Sequence, residues 1–405
     1  MKVVLINSVC GVGSTGRICA DLAAALHRNG HEAKVAYGRK CQIPDDLFKD
    51  SWRIGTDLDV KQHALASRIF DNQGFGSNKA TQRFIEKLHD YDPDLIHLHN
   101  IHGYYLNVEI LFDYLKQCGK PIVWTLHDCW AFTGHCVYFD YVGCDKWKKG
   151  CCDCPQKTTY PASFVMDRSK NNYSKKKMMF CGVDNLTLVT PSSWLEGIVK
   201  QSFLREYPVK VVHNTVDTQV FKPTPSTLRQ QYGLENKKIV LGVSMGWPAH
   251  KPLRYLLQLA DDLGTAYQVV LIGLNKKQIA GLPQNVMGLE RTASVTELAA
   301  WYTAADVYAN STMEDNYPTV NLEAQACGTP VVTFRSGGSA EGIMEEYGIA
   351  VERGNREQFR RAVILACEMK SKKQPPVLPG KDDFTDRYLD LYNSLLGDRK
   401  PNPLQ

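Results

Sequence analysis

Three acids around one proline form the strongest chemical signal in the chain. Glu314 and Asp315 precede Asn316-Tyr317-Pro318, and Glu323 follows within the next helical stretch. Proline is favoured at the first position of a helix, where its missing N–H costs nothing. The run Thr319–Cys327 is helix-compatible, and Gly328 and Pro330 stop it. Two carboxylates therefore stand just before a helix whose free N–H groups favour an anion. Glu323 sits one turn inside, on the face of Thr319 and Val320. A ligand with a charged middle and hydroxyl-rich ends suits this arrangement. The diphosphate of a nucleotide sugar would lie against Asn316–Val320, with carboxylates on either side accepting hydrogen bonds from sugar and ribose hydroxyls. The plainer reading of the same residues is an acidic helix cap on an ordinary surface helix.

Other candidates stand at the ends of predicted strands. Val3–Ile6 feeds Gly11-Val12-Gly13-Ser14-Thr15-Gly16 and then a helical pattern through Ile18, Leu22, Ala25 and Leu26. Strand, glycine loop and helix open a doubly wound domain, and Gly13, Ser14, Thr15 and Gly16 are placed to approach phosphate. A plain tight turn would use the same glycines. His127 and Asp128 end the strand Pro121–Leu126, where open α/β sheets place ligands, with Asp128 as a partner to orient the imidazole. His97 and His99 share one strand face, as a metal pair or as residues lining or packing beneath the site. Lys251 ends the loop Gly246–Lys251 after the strand Lys238–Ser244, as a cation for the diphosphate or a solvated lysine.

Five of the 13 cysteines fall between Cys136 and Cys154. Cys151 and Cys154 have the Cys-x-x-Cys bite, and Cys136 with Cys144 would complete a closed, structural four-thiolate zinc site. Cys152 is then spare and His135 a substitute ligand. Free or redox-active thiols are the alternative. Lys175-Lys176-Lys177 reads as a solvated helix face or a contact for lipid phosphate.

At 405 residues the chain can bury two cores. Hydrophobic content of 43% with 22% charged residues is ordinary for a globular protein. A net charge of +5 does not point to nucleic acid. No apolar run approaches the roughly 20 residues of a membrane span, and the start lacks a signal-peptide core. A cytoplasmic protein, with peripheral contact to the inner membrane open to it, is the expectation. Cys41–Asn78 reads as polar and irregular, with a helical piece near His63–Phe70.

The segment Glu314–Glu323, followed by Ala-Cys-Gly-Thr-Pro-Val-Val, resembles the acid-x7-acid signature of the family-4 glycosyltransferases. Glu-Asp-Asn-Tyr-Pro is similar to the subgroup that builds bacterial exopolysaccharides, colanic acid glycosyltransferases included. The first acid is usually Glu in that family; here Asp315 holds the register with Glu314 beside it. The resemblance implies a GT-B architecture: two Rossmann-like, doubly wound α/β domains facing across a cleft. It implies an acceptor domain at 1–213 carrying the Cys-rich insertion 136–154, a donor domain at 214–383, and a helix at 384–405 crossing back to the first. His213–Pro223 resembles the family linker. Lys251 matches the lysine that meets the diphosphate, while the companion arginine is lost. His127 matches a histidine reaching the donor sugar or acceptor.

The implied reaction moves a sugar from a nucleotide-diphosphate donor to a saccharide or lipid-linked acceptor, with retention and no catalytic metal. Lys251 and the helix start would hold the leaving group, Glu314 or Asp315 the sugar, Glu323 the ribose and His127 the reacting end. A nucleotide-sugar epimerase of the same fold and a non-catalytic sugar-binding scaffold are the rival readings.

Overall fold

Short runs of valine, isoleucine and leucine, buried on both faces, make the strands, as parallel sheets covered by helices require. The computed structural model describes residues 1–43, 49, 51–370 and 375–397. The chain forms two compact units, Met1–Val212 with Asp382–Gln405, and His213–Lys381.

In the first unit the strands are β1 (Lys2–Asn7), β2 (Glu32–Tyr37), β3 (Ser51–Arg53), β4 (Leu95–Leu98), β5 (Ile122–Thr125), β6 (Leu186–Thr190) and β7 (Val209–Val211). They lie in the order β3-β2-β1-β4-β5-β6-β7, every pair parallel. The second unit holds β8 (Lys238–Val243), β9 (Tyr267–Ile272), β10 (Val286–Leu289), β11 (Val307–Asn310), β12 (Val331–Phe334) and β13 (Gly348–Val351). Their order is β10-β9-β8-β11-β12-β13, again all parallel. Strand order reverses between β1 and β4 in one sheet and between β8 and β11 in the other. Such switch points open a crevice at the strand carboxyl ends. The glycine turn and His99 lie at the first, Lys251 and Asp315 at the second.

The helix Lys381–Gly397 buries Phe384, Tyr388, Leu389 and Tyr392 in the core that contains Val3, Leu5 and Leu22. Its tyrosines reach β4 and β5. Tyr392 Oη lies 2.6 Å from His97 Nδ1, His97 Nε2 is 2.8 Å from Thr125 Oγ1, and Tyr388 Oη is 3.0 Å from Thr125 Oγ1.

Two expectations change. The helix of the first βα unit begins at Gly13, so Ser14, Thr15 and Gly16 lie in its first turn and the true turn is Cys10–Val12. Gly11 makes that turn possible: its φ is +67°, and a Cβ there would fall 1.9 Å from the Gln42 carbonyl oxygen. The stretch read as irregular contains β3 and a full helix, Asp57–Phe70; its positions 44–48 and 50 lie outside the described residues. Thr56 and Asp59 form a capping box that starts the helix. The apolar period failed there because the helix buries His63 and Ser67 while leaving Leu58 and Leu65 exposed.

Candidate active site

The second unit's switch point is built from the ends of β8, β11 and β12. Beyond β8 the chain turns through Gly246–Lys251, and beyond β11 it runs from Ser311 to Pro318. Two links join these segments: the Met313 amide donates to the His250 carbonyl at 2.7 Å, and Ser311 Oγ donates to the Pro252 carbonyl at 3.3 Å. Beneath them lies a ladder of buried amide and hydroxyl groups. Asn310 donates to Asn321 at 2.8 Å, Asn321 to the Ser339 carbonyl at 3.0 Å, and Thr333 pairs with Ser339 at 2.8 Å. Ser336 Oγ donates to the Thr312 carbonyl at 2.7 Å. Buried polar networks of this kind hold one geometry when every member is satisfied.

This frame settles how the acids stand. Lys251 Nζ is 2.7 Å from Asp315 Oδ2, each side chain still partly exposed. Glu314 is fully buried, and Thr312 Oγ1 donates to its backbone carbonyl. Of the adjacent acids, Asp315 is therefore the one at the crevice. Glu323 is buried within the helix Thr319–Ala326 and accepts the Tyr302 hydroxyl at 2.9 Å. Pro318 is the N-cap residue of that helix, with extended backbone and no side-chain cap. Tyr317 stacks on His213 with ring centroids 4.9 Å apart, and its carbonyl accepts from Asn214.

Gly337 fixes Asp315 from behind. The Gly338 amide donates to the Asp315 carbonyl at 2.9 Å, and a Cβ on Gly337, at φ +58°, would fall 2.1 Å from that oxygen. Gly337→Ala should therefore lower stability by at least about 2 kcal/mol and displace Asp315. Thermal unfolding and donor titration read the two effects separately.

In the first unit, His127 follows β5. Its Nε2 lies 3.0 Å from His99 Nδ1, and the two rings stack with an interplanar angle of 12°. Asp128 does not orient it. Its Oδ2 lies 2.8 Å from His102 Nε2, and its Oδ1 accepts the Trp130 amide at 2.9 Å. The turn after β5 carries the carboxylate back toward the loop after β4. His102 Nδ1 in turn meets the Tyr160 hydroxyl at 3.1 Å, which Gln73 also reaches. Burial raises the Asp128 carboxyl, but His102 and the Trp130 amide outweigh it, leaving the group below its ordinary range. His97 packs beneath, between Thr125 and Tyr392, and is not one of a metal pair.

The lysine run also divides. Lys176 is buried, 3.4 Å over the Trp130 ring, and donates to the Trp130 and Thr133 carbonyls at 2.8 and 3.2 Å. Burial brings its pKa down to about 7. It pins the turn that carries Asp128, a role that a sequence of three identical neighbours conceals.

Burial moves several histidines the other way from a paired one. His63, His127 and His250 fall to about 4, and His97 and His99 well below 6.5. Each is neutral when folded but protonates near 6.5 when unfolded, so the unfolded chain binds more protons below that pH. Stability from these groups is complete above 6.5 and is lost as pH falls toward about 4. The unfolding temperature should drop by on the order of 10 °C between neutral pH and pH ~4.

Cys136, Cys144, Cys151 and Cys154 line one small pocket with Cys152 and His135. Among the described residues, however, no three of His, Cys, Asp or Glu form a group able to hold one ion. Cys136 and Cys154 are hydrogen-bonded to each other, Cys151 Sγ accepts the Gly134 amide at 3.2 Å, and His135 Nδ1 is bound to Asp71. An amide-bonded sulfur and a carboxylate-held imidazole also surround bound metals, and His135 Nε2 is buried with no hydrogen-bond partner, so these contacts neither meet nor overturn the zinc expectation.

Residues 15–220 match the family described as Glycosyltransferase Family 4, and residues 237–368 match Glycosyl transferases group 1. The putative colanic acid biosynthesis glycosyl transferase WcaC of Escherichia coli (strain K12) is 26% identical over 364 residues, covering 87% of each chain. Among solved structures, the sucrose-phosphate synthase of Thermosynechococcus elongatus superposes with a TM-score of 0.71 at 16% identity, covering 98% of this chain and 100% of that one. Anabaena HepE in complex with UDP-glucose gives a TM-score of 0.62 at 15% identity, covering 97% and 100%. These structural likenesses show the fold, which is GT-B.

Proposed function

The chain belongs to glycosyltransferase family 4, and from that premise we propose that it transfers a sugar from a nucleotide-diphosphate donor to a saccharide or lipid-linked saccharide. The transfer retains anomeric configuration and serves bacterial surface-polysaccharide synthesis, with the protein working peripherally at the cytoplasmic face of the membrane. Likeness to the colanic acid enzyme and to a UDP-glucose complex supports this reading.

One observation carries it: the Lys251–Asp315 pair, 2.7 Å apart, beside an uncapped helix start at a topological switch point. Without ligand the two charges neutralise each other. An arriving diphosphate gives Lys251 a doubly charged partner and lets Asp315 turn to sugar hydroxyls. As the glycosidic bond breaks, charge grows on the leaving phosphate, and Lys251 with the amides near Pro318 stabilises it there. The departing phosphate assists deprotonation of the acceptor on the same face of the sugar. Gly13, Ser14, Thr15 and Gly16 are the first unit's candidates for phosphate contact, and His127, held neutral, is its candidate for the reacting end. No cofactor is needed for these steps.

The decisive experiment screens nucleotide sugars for donor hydrolysis and then for transfer to saccharide acceptors. Hydrolysis of one donor, followed by transfer, is the expected result. Epimerisation without transfer favours the epimerase, and the absence of both favours a binding scaffold.

A further inference from the structure

The helix Asp57–Phe70 is inverted. Its inner face carries His63, whose Nε2 accepts the Gly74 and Gly76 amides at 3.3 and 3.2 Å, leaving Nδ1–H to donate to Ser77 Oγ at 3.0 Å. Its outer face carries Leu58 and Leu65, 62% and 59% exposed, two turns apart on one stripe. At its C-terminal end the segment Phe164–Met166 runs alongside, the Phe164 amide donating to the Arg68 carbonyl and the Met166 amide to that of Ile69. Phe164 and Val165 there are 63% and 64% exposed, with Phe70 and Met166 beside them. Scattered apolar residues on a surface are ordinary; a leucine stripe on a helix that buries His63 and Ser67 instead, with Phe164–Met166 bonded beside its end, is not.

The fringe of this patch is basic. Lys61 and Arg68 flank the leucine stripe, and Arg168 lies over the Phe70 ring, 5.9 Å from its centroid. Of the nearby acids, Asp57 is paired with Arg53, while Asp59, held by Thr56, and Asp167, held by the Ser169 and Cys154 amides, keep their charge and are outnumbered by Lys61, Arg68 and Arg168. We propose that this patch is the protein's membrane-docking surface, with the apolar side chains entering the headgroup boundary and Lys61, Arg68 and Arg168 meeting anionic lipid. A second copy is the poorer occupant, since two-fold pairing would set the basic fringe against itself. Among the described residues no helix is long and apolar enough to cross a membrane.

The inference specifies the surface for the peripheral role proposed above, and its test is independent of donor chemistry. The full chain is floated with vesicles of phosphatidylcholine alone and of phosphatidylcholine with phosphatidylglycerol. The wild type should float with the anionic vesicles, weakly with the neutral ones, and less in high salt. F164E/V165E should reduce binding at least about tenfold, and R68E/R168E should reduce it to the neutral-vesicle level. Unfolding temperature and donor hydrolysis should be unchanged in both variants, which shows that they are folded and active. Failure of the wild type to float, or binding unaltered by the substitutions, overturns the proposal. So does a wild-type dimer in light scattering that F164E/V165E dissociates. Loss of donor hydrolysis in the wild type would count against the enzyme reading alone.

Discussion

Lys251→Ala should lower turnover by about 10²–10³-fold while leaving the unfolding temperature nearly unchanged. The two halves of this expectation have different origins. In the resting protein Lys251 faces Asp315 at 2.7 Å, with side-chain exposures of 19% and 14%. A pair still reached by solvent contributes on the order of 1 kcal/mol or less to folding. In the transition state the same ammonium faces a phosphate gaining charge in a drier environment, where a fixed cation is worth several times more. Lys251→Arg should recover part of the loss, because charge returns but the flat guanidinium cannot sit as a point cation. Asp315→Asn separates the roles: it frees Lys251 for the diphosphate but removes a carboxylate from the sugar. Donor binding should hold or tighten while turnover falls. If Lys251→Ala turns over like the wild type, the cation of the reaction lies elsewhere.

The parts of this site that could be read from the sequence are those carried by contiguous residues. Pro318, Gly328 and Pro330 bound a helix wherever they fall in that order, and buried valine runs mark parallel strands. The acids could be placed at a helix start for the same reason. Which acid faces outward could not, because Glu314 and Asp315 differ only in the side of the chain on which each emerges. That is decided by Gly337 and Thr312 closing on the backbone. Asp128 turns to His102, which comes from the preceding strand's loop, and nothing local in the sequence distinguishes that partner from His127. Only the His63–Phe70 part of the helix Asp57–Phe70 is legible in the sequence, because apolar period is a proxy for burial, and here burial falls on His63 and Ser67. The cysteines show the converse limit. Spacing brings Cys136, Cys144, Cys151 and Cys154 to one pocket, but it does not fix the distances and angles that a metal demands.

Glu323 offers the sharpest separation between binding and chemistry. It is buried, and Tyr302, itself fully buried, donates to its Oε2 at 2.9 Å. Burial, and then the carboxylate's charge, drive the Tyr302 phenol well above its ordinary pKa, so the hydroxyl remains a donor at any working pH. The tyrosine thereby fixes one rotamer of the carboxylate. If that carboxylate grips the ribose, its contacts are equal in ground and transition states, and its loss appears in KM rather than kcat. Glu323→Gln should therefore weaken binding of the matching nucleoside diphosphate by about tenfold to a hundredfold, the value of charged hydrogen bonds to hydroxyls. Its kcat at saturating donor should stay within a few-fold of wild type. Tyr302→Phe should move the same binding constant less, about tenfold at most, because it loosens the carboxylate without removing it. Glu323→Ala adds a stability cost of about 1–3 kcal/mol, since it strands the Tyr302 hydroxyl in the core. A Glu323→Gln enzyme with unchanged KM and a collapsed kcat would place this carboxylate at the reacting sugar instead, and the ribose would then need another acceptor.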